Sequence, residues 1–269
     1  MTAAKPAKDS PPTKRGTLAA QRALERGTSG LTAPAEDYLK AIYDLERSGN
    51  AAGTNEIAAQ LAIAPASVSG MVRRLAEQGL IEHERYHGVR LTEAGRRAAL
   101  RTLRRHRIIE AYLVQALGYA WDRVHDEAER LEHAASDELI DRMAQTIGEP
   151  AHDPHGAPIP TREGAVDEQR LTSIDELMVG ARARVRRVSD RDADRLRYLA
   201  ELGMTPGTIV EVVERAPFDG PITVRLEDGT QRSLGRVLAR QVMVEPPDEV
   251  HGPGSEVRGR STGRSGGAK

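Results

Sequence analysis

The chain has 269 residues, enough for two or three small domains, and its 39 basic and 40 acidic residues leave a net charge of −1. It holds no cysteine, which excludes disulfides, thiolate zinc sites and iron–sulfur clusters, fits a reducing cytoplasm, and leaves oxygen and imidazole as the ligands for any metal. With aromatic residues at 3% the cores must come from Leu, Ile, Val and Ala, and no apolar run approaches the roughly 20 residues of a membrane helix.

Residues 1–30 are rich in Ala, Lys, Pro, Ser, Thr and Arg and read as a basic, disordered arm. "AEDYLKAIYDLERSG" (35–49) then carries Tyr38, Leu39, Ile42, Tyr43 and Leu45 at helical spacing, with Gly49 as its stop. "TNEIAAQLAI" (54–63) predicts a short helix with Thr54 as N-cap and Ile57, Ala58 and Leu61 facing inward. In "APASVSGMVRRLAEQGL", Pro65 suits a first helical turn, Val68, Met71, Val72 and Leu75 form a buried stripe, and Gly79 ends the helix. Two short helices around a tight turn make a helix-turn-helix. The outward residues of the second, Ala66, Ser67, Ser69, Gly70, Arg73 and Arg74, combine small size, hydroxyls and flanking cations, as entry into a DNA major groove requires. "LIEHERYHGVRLT" (80–92) predicts two strands around a turn near His87 and Gly88, the wing of a winged helix. A plain three-helix bundle is the competing reading. Because the global charge does not advertise DNA, binding would depend on this local basic face.

A long helix follows Thr92 and runs to about Gly118, with arginines along its first half that either face phosphates or are solvated. "WDRVHDEAERLEHAASDELIDRMAQTIG" (121–148) predicts two more helices, and the prolines of "EPAHDPHGAPIPT" (149–161) force a loop. An acidic linker, 164–172, leads to short alternating segments ("ARARVRRVS", "GTIVEVVERA", "ITVRLEDG", "RQVMVEP") interrupted by a helix in "DADRLRYLAELG". Short strands with Gly turns indicate a small SH3-like β-barrel over 173–246, followed by a Gly/Ser/Pro/Arg tail, 247–269. Either terminal arm fits contact with DNA phosphates or a solubilising role.

The densest chemistry lies in "VHDEAERLEH" (124–133). At about 100° per residue, His125, Glu129, Glu132 and His133 share one face, while His106 and Glu110 are one turn apart on the long helix. Like charges so grouped repel unless a cation sits among them; an exposed acidic helix paired with Arg130 is the competing reading. No nucleophile is placed with a base in a way that suggests an enzyme.

"EDYLKAIY", "APASVSGMVRRL", "RRHRIIEAYLV", "VHDEAERLEH" with "SDEL", and "DPHGAPIP" together resemble the metal-dependent repressors of the diphtheria-toxin-repressor type, in particular their manganese-responsive branch. The resemblance implies a winged helix-turn-helix domain (31–94), a helical metal-binding and dimerisation domain (95–163) and the SH3-like barrel. It implies a cytoplasmic homodimer that represses metal-homeostasis genes by binding a palindromic double-stranded DNA operator, with Mn2+ as co-repressor and Fe2+ or another divalent transition metal as the alternative. Carried over by position, the primary metal ligands would be Asp37, Glu129, Glu132 and His133. The ancillary ligands would be His106, Glu110 and His125, with Asp190 of the barrel as a further ligand and Asp192 its competitor. Iron-responsive members place Met and Cys where this chain has Asp37 and Glu129, and the exchange of sulfur for carboxylate suits manganese. Lys40 departs from the family pattern, since short manganese regulators carry a metal-bridging glutamate there. Two separate sites are therefore expected rather than one closely bridged pair. A winged-helix regulator indifferent to metal and a metal-buffering protein or hydrolase are the rival classes.

Overall fold

The fold is that of a computed structural model, described over residues 30–47, 52–84, 88–167, 170–189 and 192–246. Both terminal arms lie outside these residues, apart from Gly30, as do the expected helix stop Gly49, the wing-tip residue His87 and Asp190.

Helix α1 (Ala33–Glu46) has a proline in its first turn, where a missing N–H removes no helical bond, and buries Tyr38, Leu39, Ile42 and Tyr43. Helices α2 (Thr54–Gln60) and α3 (Pro65–Glu77) form the helix-turn-helix. Thr54 is not the N-cap: Gly53 takes the extended cap conformation and Thr54 is the first helical residue, with no side-chain cap. Strands β1 (Ile81–Glu84) and β2 (Gly88–Leu91) pair antiparallel, with Ile81 opposite Leu91, and form the wing.

Helix α4 (Glu93–Leu117) begins at a joint with this unit. The Thr92 hydroxyl accepts from the Gly95 N–H at 3.1 Å and donates to the Gly79 carbonyl at 2.8 Å. Gly95 is required here, because a Cβ would lie 1.9 Å from the Leu80 carbonyl oxygen. Ala98, Ala99 and Leu103 then pack into the winged-helix core, while Ile108, Ile109 and Leu113 enter a second core with Val124, Ala128 and Ile140. One rigid helix therefore belongs to both units. Its arginines pair with acids of this chain: Arg96 with Glu46 at 2.7 Å, Arg105 with Asp137 at 3.0 Å, Arg104 with Asp141 at 3.5 Å, and Arg101 with Asp137.

A 3-10 turn (Trp121–Arg123) leads into α5 (Val124–Leu131), and Ser136 caps α6 (Asp137–Thr146). The stretch 124–133 is not a single helix: Glu132 keeps right-handed helical angles as the C-cap, and His133 falls in the turn beyond. In the following loop the Asp153 carboxylate accepts from the His155 and Ala157 N–H groups at 2.8 and 2.9 Å, which folds the loop back on itself.

The C-terminal unit has strands β3 (Thr172–Ser173), β4 (Arg182–Val188), β5 (Ile209–Arg215), β6 (Ile222–Leu226), β7 (Gln231–Leu234) and β8 (Val242–Glu245), with helices α7 (Ala193–Glu201) and α8 (Arg236–Ala239). All neighbours are antiparallel, in the order β3-β8-β4-β5-β6-β7. Val185, Val210, Val212, Val224 and Val244 point into one core closed by Leu196 and Leu199 of α7. Strands β3 and β7 were not expected: the first is two residues long and the second buries only Leu234, so neither offers a period-2 signal. The whole is the mainly α architecture expected, a winged helix-turn-helix and a helical domain followed by an SH3-like barrel.

Candidate metal centre and nucleic-acid interface

Three helices converge on one cluster. Helix α1 contributes Glu36, Asp37 and Lys40, helix α4 contributes His106 and Glu110 one turn apart, and α5 with its exit turn contributes His125, Glu129, Glu132 and His133. The long-range contacts join the winged helix to the helical domain. Asp37 Oδ1 lies 2.9 Å from His133 Nε2, and His133 Nδ1 lies 2.7 Å from Glu36 Oε2. Glu132 is fully buried and spans the cluster, with Oε1 3.3 Å from His133 Nε2 and Oε2 2.5 Å from His106 Nδ1.

Two groups in this cluster have metal-ligand geometry. Asp37, Glu132 and His133 offer donor atoms within 4.8 Å of one another, as do His106, His125 and Glu129. Around the second group, His106 Nε2 is 3.1 Å from both Glu110 Oε1 and His125 Nδ1, and His125 Nδ1 is 3.4 Å from the same Glu110 oxygen. Adjacent ligands of an octahedral ion with bonds of roughly 2.1–2.3 Å lie roughly 3.0–3.3 Å apart, so these atoms already stand at ligand spacing. All seven ligands expected from the resemblance outside the barrel are brought together. Glu129, expected beside Asp37, groups instead with the two histidines: it is 3.8 Å from both His106 Nδ1 and His125 Nε2, and in reach of Lys40.

Lys40 holds the centre of the cluster, with Nζ 2.7 Å from Glu129 Oε1 and from Glu132 Oε1. Burial works against its charge, but Glu132 and Glu129 outweigh that and hold its pKa above the ordinary value. Burial likewise opposes the charge on His106, yet Glu110 and Glu132 push its pKa up to about 10. Glu110 is held well below the usual carboxylate range, because the His106 charge overcomes its burial. Asp37 is raised, chiefly by burial and then by Glu129 and Glu132, against His133 and Lys40. A metal that takes these donors must therefore displace protons.

On the recognition helix α3, Ala66, Ser67, Ser69, Gly70, Arg73 and Arg74 are all exposed, while Val68, Val72 and Leu75 are buried. Thr54 is half-buried at the start of α2. Asp190 is outside the described residues. Its neighbour Ser189 lines a cleft of about 980 Å³ shared with Asp37, Lys40, His125 and Gln241, where the winged helix, metal cluster and barrel meet. Asp192 caps α7, accepting from the Arg195 N–H at 3.1 Å, and so is already engaged. Sequence reasoning missed Glu36 beside Asp37. It also missed a third donor group, Glu110, Asp153 and His155; its signal is the Asp and His of "DPHG", in a segment that its prolines mark as a loop. Among the described residues no helix is long and apolar enough to cross a membrane.

Comparison with known proteins meets this geometry. Residues 30–89 match the iron-dependent repressor N-terminal DNA-binding domain, 92–161 the iron-dependent repressor metal-binding and dimerisation domain, and 172–246 the FeoA domain. The chain is 32% identical over 222 residues to the iron-dependent repressor IdeR of Mycobacterium tuberculosis (strain ATCC 25618 / H37Rv), covering 78% of this chain and 96% of that protein. It is 29% identical over 224 residues to the diphtheria toxin repressor of Corynebacterium diphtheriae, covering 78% and 96%. Among solved structures, a manganese-dependent transcriptional repressor in complex with manganese is 40% identical, with a TM-score of 0.76 over 79% of this chain and 100% of that one. A DNA-binding domain joined to a dimerisation domain implies DNA binding by a homodimer. The chain thus belongs to the iron-dependent repressor family, that of the diphtheria toxin repressor, and is a metal-dependent DNA-binding repressor rather than an enzyme.

Proposed function

We propose that Mn2+ is the co-repressor and that it acts by fixing the winged helix against the helical domain. The observation that carries this reading is the contact of Asp37 on α1 with His133 beyond α5, 2.9 Å apart across the two units. The primary position would use Asp37, Glu129, Glu132 and His133, and the ancillary position His106, Glu110 and His125, with Asp190 as a candidate further ligand. The donor set is carboxylate and imidazole with no thiolate anywhere in the chain, which suits Mn2+ and also accepts Fe2+. The manganese-bound relative at 40% identity supports the first, and the iron-dependent relatives at 32% support the second.

A bound divalent ion would supply the positive charge that lets carboxylates from both units stay together. Asp37 moves with α1, and α1 packs with α2 and α3 in one core. Holding Asp37 therefore orients the recognition helix, and in a homodimer it sets the spacing of two such helices against the half-sites of a palindromic operator. Ser67, Ser69 and Ala66 would face base edges, and Arg73, Arg74 and Thr54 the phosphates. Genes of metal homeostasis would be repressed when metal is plentiful. The effector meets the requirement of binding one state better than the other, with couplings of about 1–3 kcal/mol per site.

Asp37→Ala tests this. It should abolish metal-stimulated DNA binding, read by fluorescence anisotropy, while circular dichroism stays unchanged, because Asp37 is partly exposed and outside the apolar core. An unchanged metal response in this variant would remove Asp37 from the switch.

A further inference from the structure

Beside the ancillary position lies an enclosed group. Glu110 and His155 are fully buried and Asp153 is 5% exposed. His155 Nε2 is 2.8 Å from the Trp121 carbonyl, which only accepts, so Nε2 carries the hydrogen. In the neutral ring Nδ1 is then a bare lone pair. It makes no hydrogen bond and points toward Glu110, whose Oε1 is 3.8 Å away. Glu110 Oε2 is likewise buried without a hydrogen-bond partner. Asp153 brings a second carboxylate, with Oδ1 taken by two backbone N–H groups and Oδ2 3.6 Å from Arg107 Nε. Arg107 thus offsets one of the two negative charges in this space, and His106 Nε2 and His125 Nδ1 lie 3.1 and 3.4 Å from the same Glu110 Oε1 that faces His155.

Facing acceptors in a dry interior are unfavourable unless a cation lies between them. We propose that Glu110, Asp153 and His155 form a third divalent-metal position, with Glu110 shared between it and the His106–His125 position. The three donor atoms lie within 4.8 Å of one another, and ligands roughly 2.2 Å from an ion sit no more than roughly 4.4 Å apart, so a small side-chain shift closes the group. Two carboxylates and one imidazole select a hard to intermediate ion such as Mn2+ or Fe2+.

The position is tied to the barrel. The His155 carbonyl accepts from the Val188 N–H at 2.9 Å, and a Cβ on Gly156 would lie 1.8 Å from the Arg186 carbonyl oxygen. Trp121, which accepts from the His155 ring, packs against the barrel core. Occupancy of this position thus rigidifies the junction between the helical domain and the barrel.

The inference rests on reading Glu110 as a metal ligand, and the test separates the two. Mn2+ bound per subunit is measured on the full chain by the electron paramagnetic resonance of free Mn2+. The wild type should take three equivalents. His155→Phe, which keeps a ring against Trp121, and Asp153→Asn, which keeps the acceptor for the two backbone N–H groups, should each take two. Equal stoichiometry in all three proteins overturns the third position and leaves a proton-bridged His155–Glu110 pair. No Mn2+ bound by the wild type overturns the co-repressor reading as well. Loss of the His155→Phe fold by circular dichroism passes the decision to Asp153→Asn.

Discussion

Lys40 Nζ sits 2.7 Å from a carboxylate oxygen of both Glu129 and Glu132, a position in which a tethered ammonium supplies part of the charge a metal would supply. It links α1 to α5 without leaving the chain. It is also a competitor, because a metal that claims Glu129 and Glu132 must displace the ammonium. Lys40→Met should therefore have two opposed effects. Mn2+ affinity, measured by calorimetry, should rise. Stability in chelator, measured by urea unfolding, should fall by about 1–3 kcal/mol, discounted from a fully buried pair because Glu129 is 37% exposed. Affinity unchanged from wild type would mean that Lys40 does not share the metal's ligands. At this scale the sequence is only partly informative. His125 and the 129–133 residues stand out because they recur at helical spacing, whereas Asp37 enters only through the family resemblance. Lys40 reads as a departure from a pattern, but its two partners are 89 and 92 residues away, a distance no local periodicity encodes. His155 is further from view, since a proline-rich loop is expected on the surface and this one is buried by the barrel.

Helix α4 joins the cluster to the winged-helix core in which α3 packs. Its N-terminus is keyed to β1 by Gly95, and its middle carries His106 and Glu110 into the cluster. Gly95→Val should push α4 away from the Leu80 carbonyl, which a Cβ would approach to 1.9 Å. The melting temperature in chelator should fall by several degrees, as expected for overpacking costs of about 1–3 kcal/mol. Metal-stimulated DNA binding should weaken, while Mn2+ still binds to the donors about three turns further along. Loss of metal binding together with DNA binding would show that α4 does not transmit between two separable functions. The elements themselves were the most legible feature: apolar stripes at 3.6 spacing in α1, α3 and α4, and alternation in β4, β5, β6 and β8. The exceptions were those with little buried surface, β3, β7 and α8, and the helix of 124–133, whose last two residues belong to a turn.

Across the whole molecule, the metal cluster stands between the unit that faces DNA and the unit that carries the barrel. The first contributes Glu36, Asp37 and Lys40, and the second packs on the loop holding His155. The exposed face of α3 is small and hydroxylated with two arginines, while the arginines of α4 are engaged by acids of the chain itself. On the proposed reading, DNA affinity is concentrated on a face whose orientation the cluster controls. The measurement that tests this most directly is titration of a fluorescent operator fragment from the protein's own upstream region, at fixed salt because phosphate contacts make affinity steeply salt-dependent. It is run first in chelator and then with Mn2+, Fe2+ and Zn2+ in turn. The account predicts weak binding in chelator and an increase of about ten- to a hundredfold with micromolar Mn2+, the range a coupling of about 1–3 kcal/mol provides. Equal affinity in chelator and in every metal would contradict it.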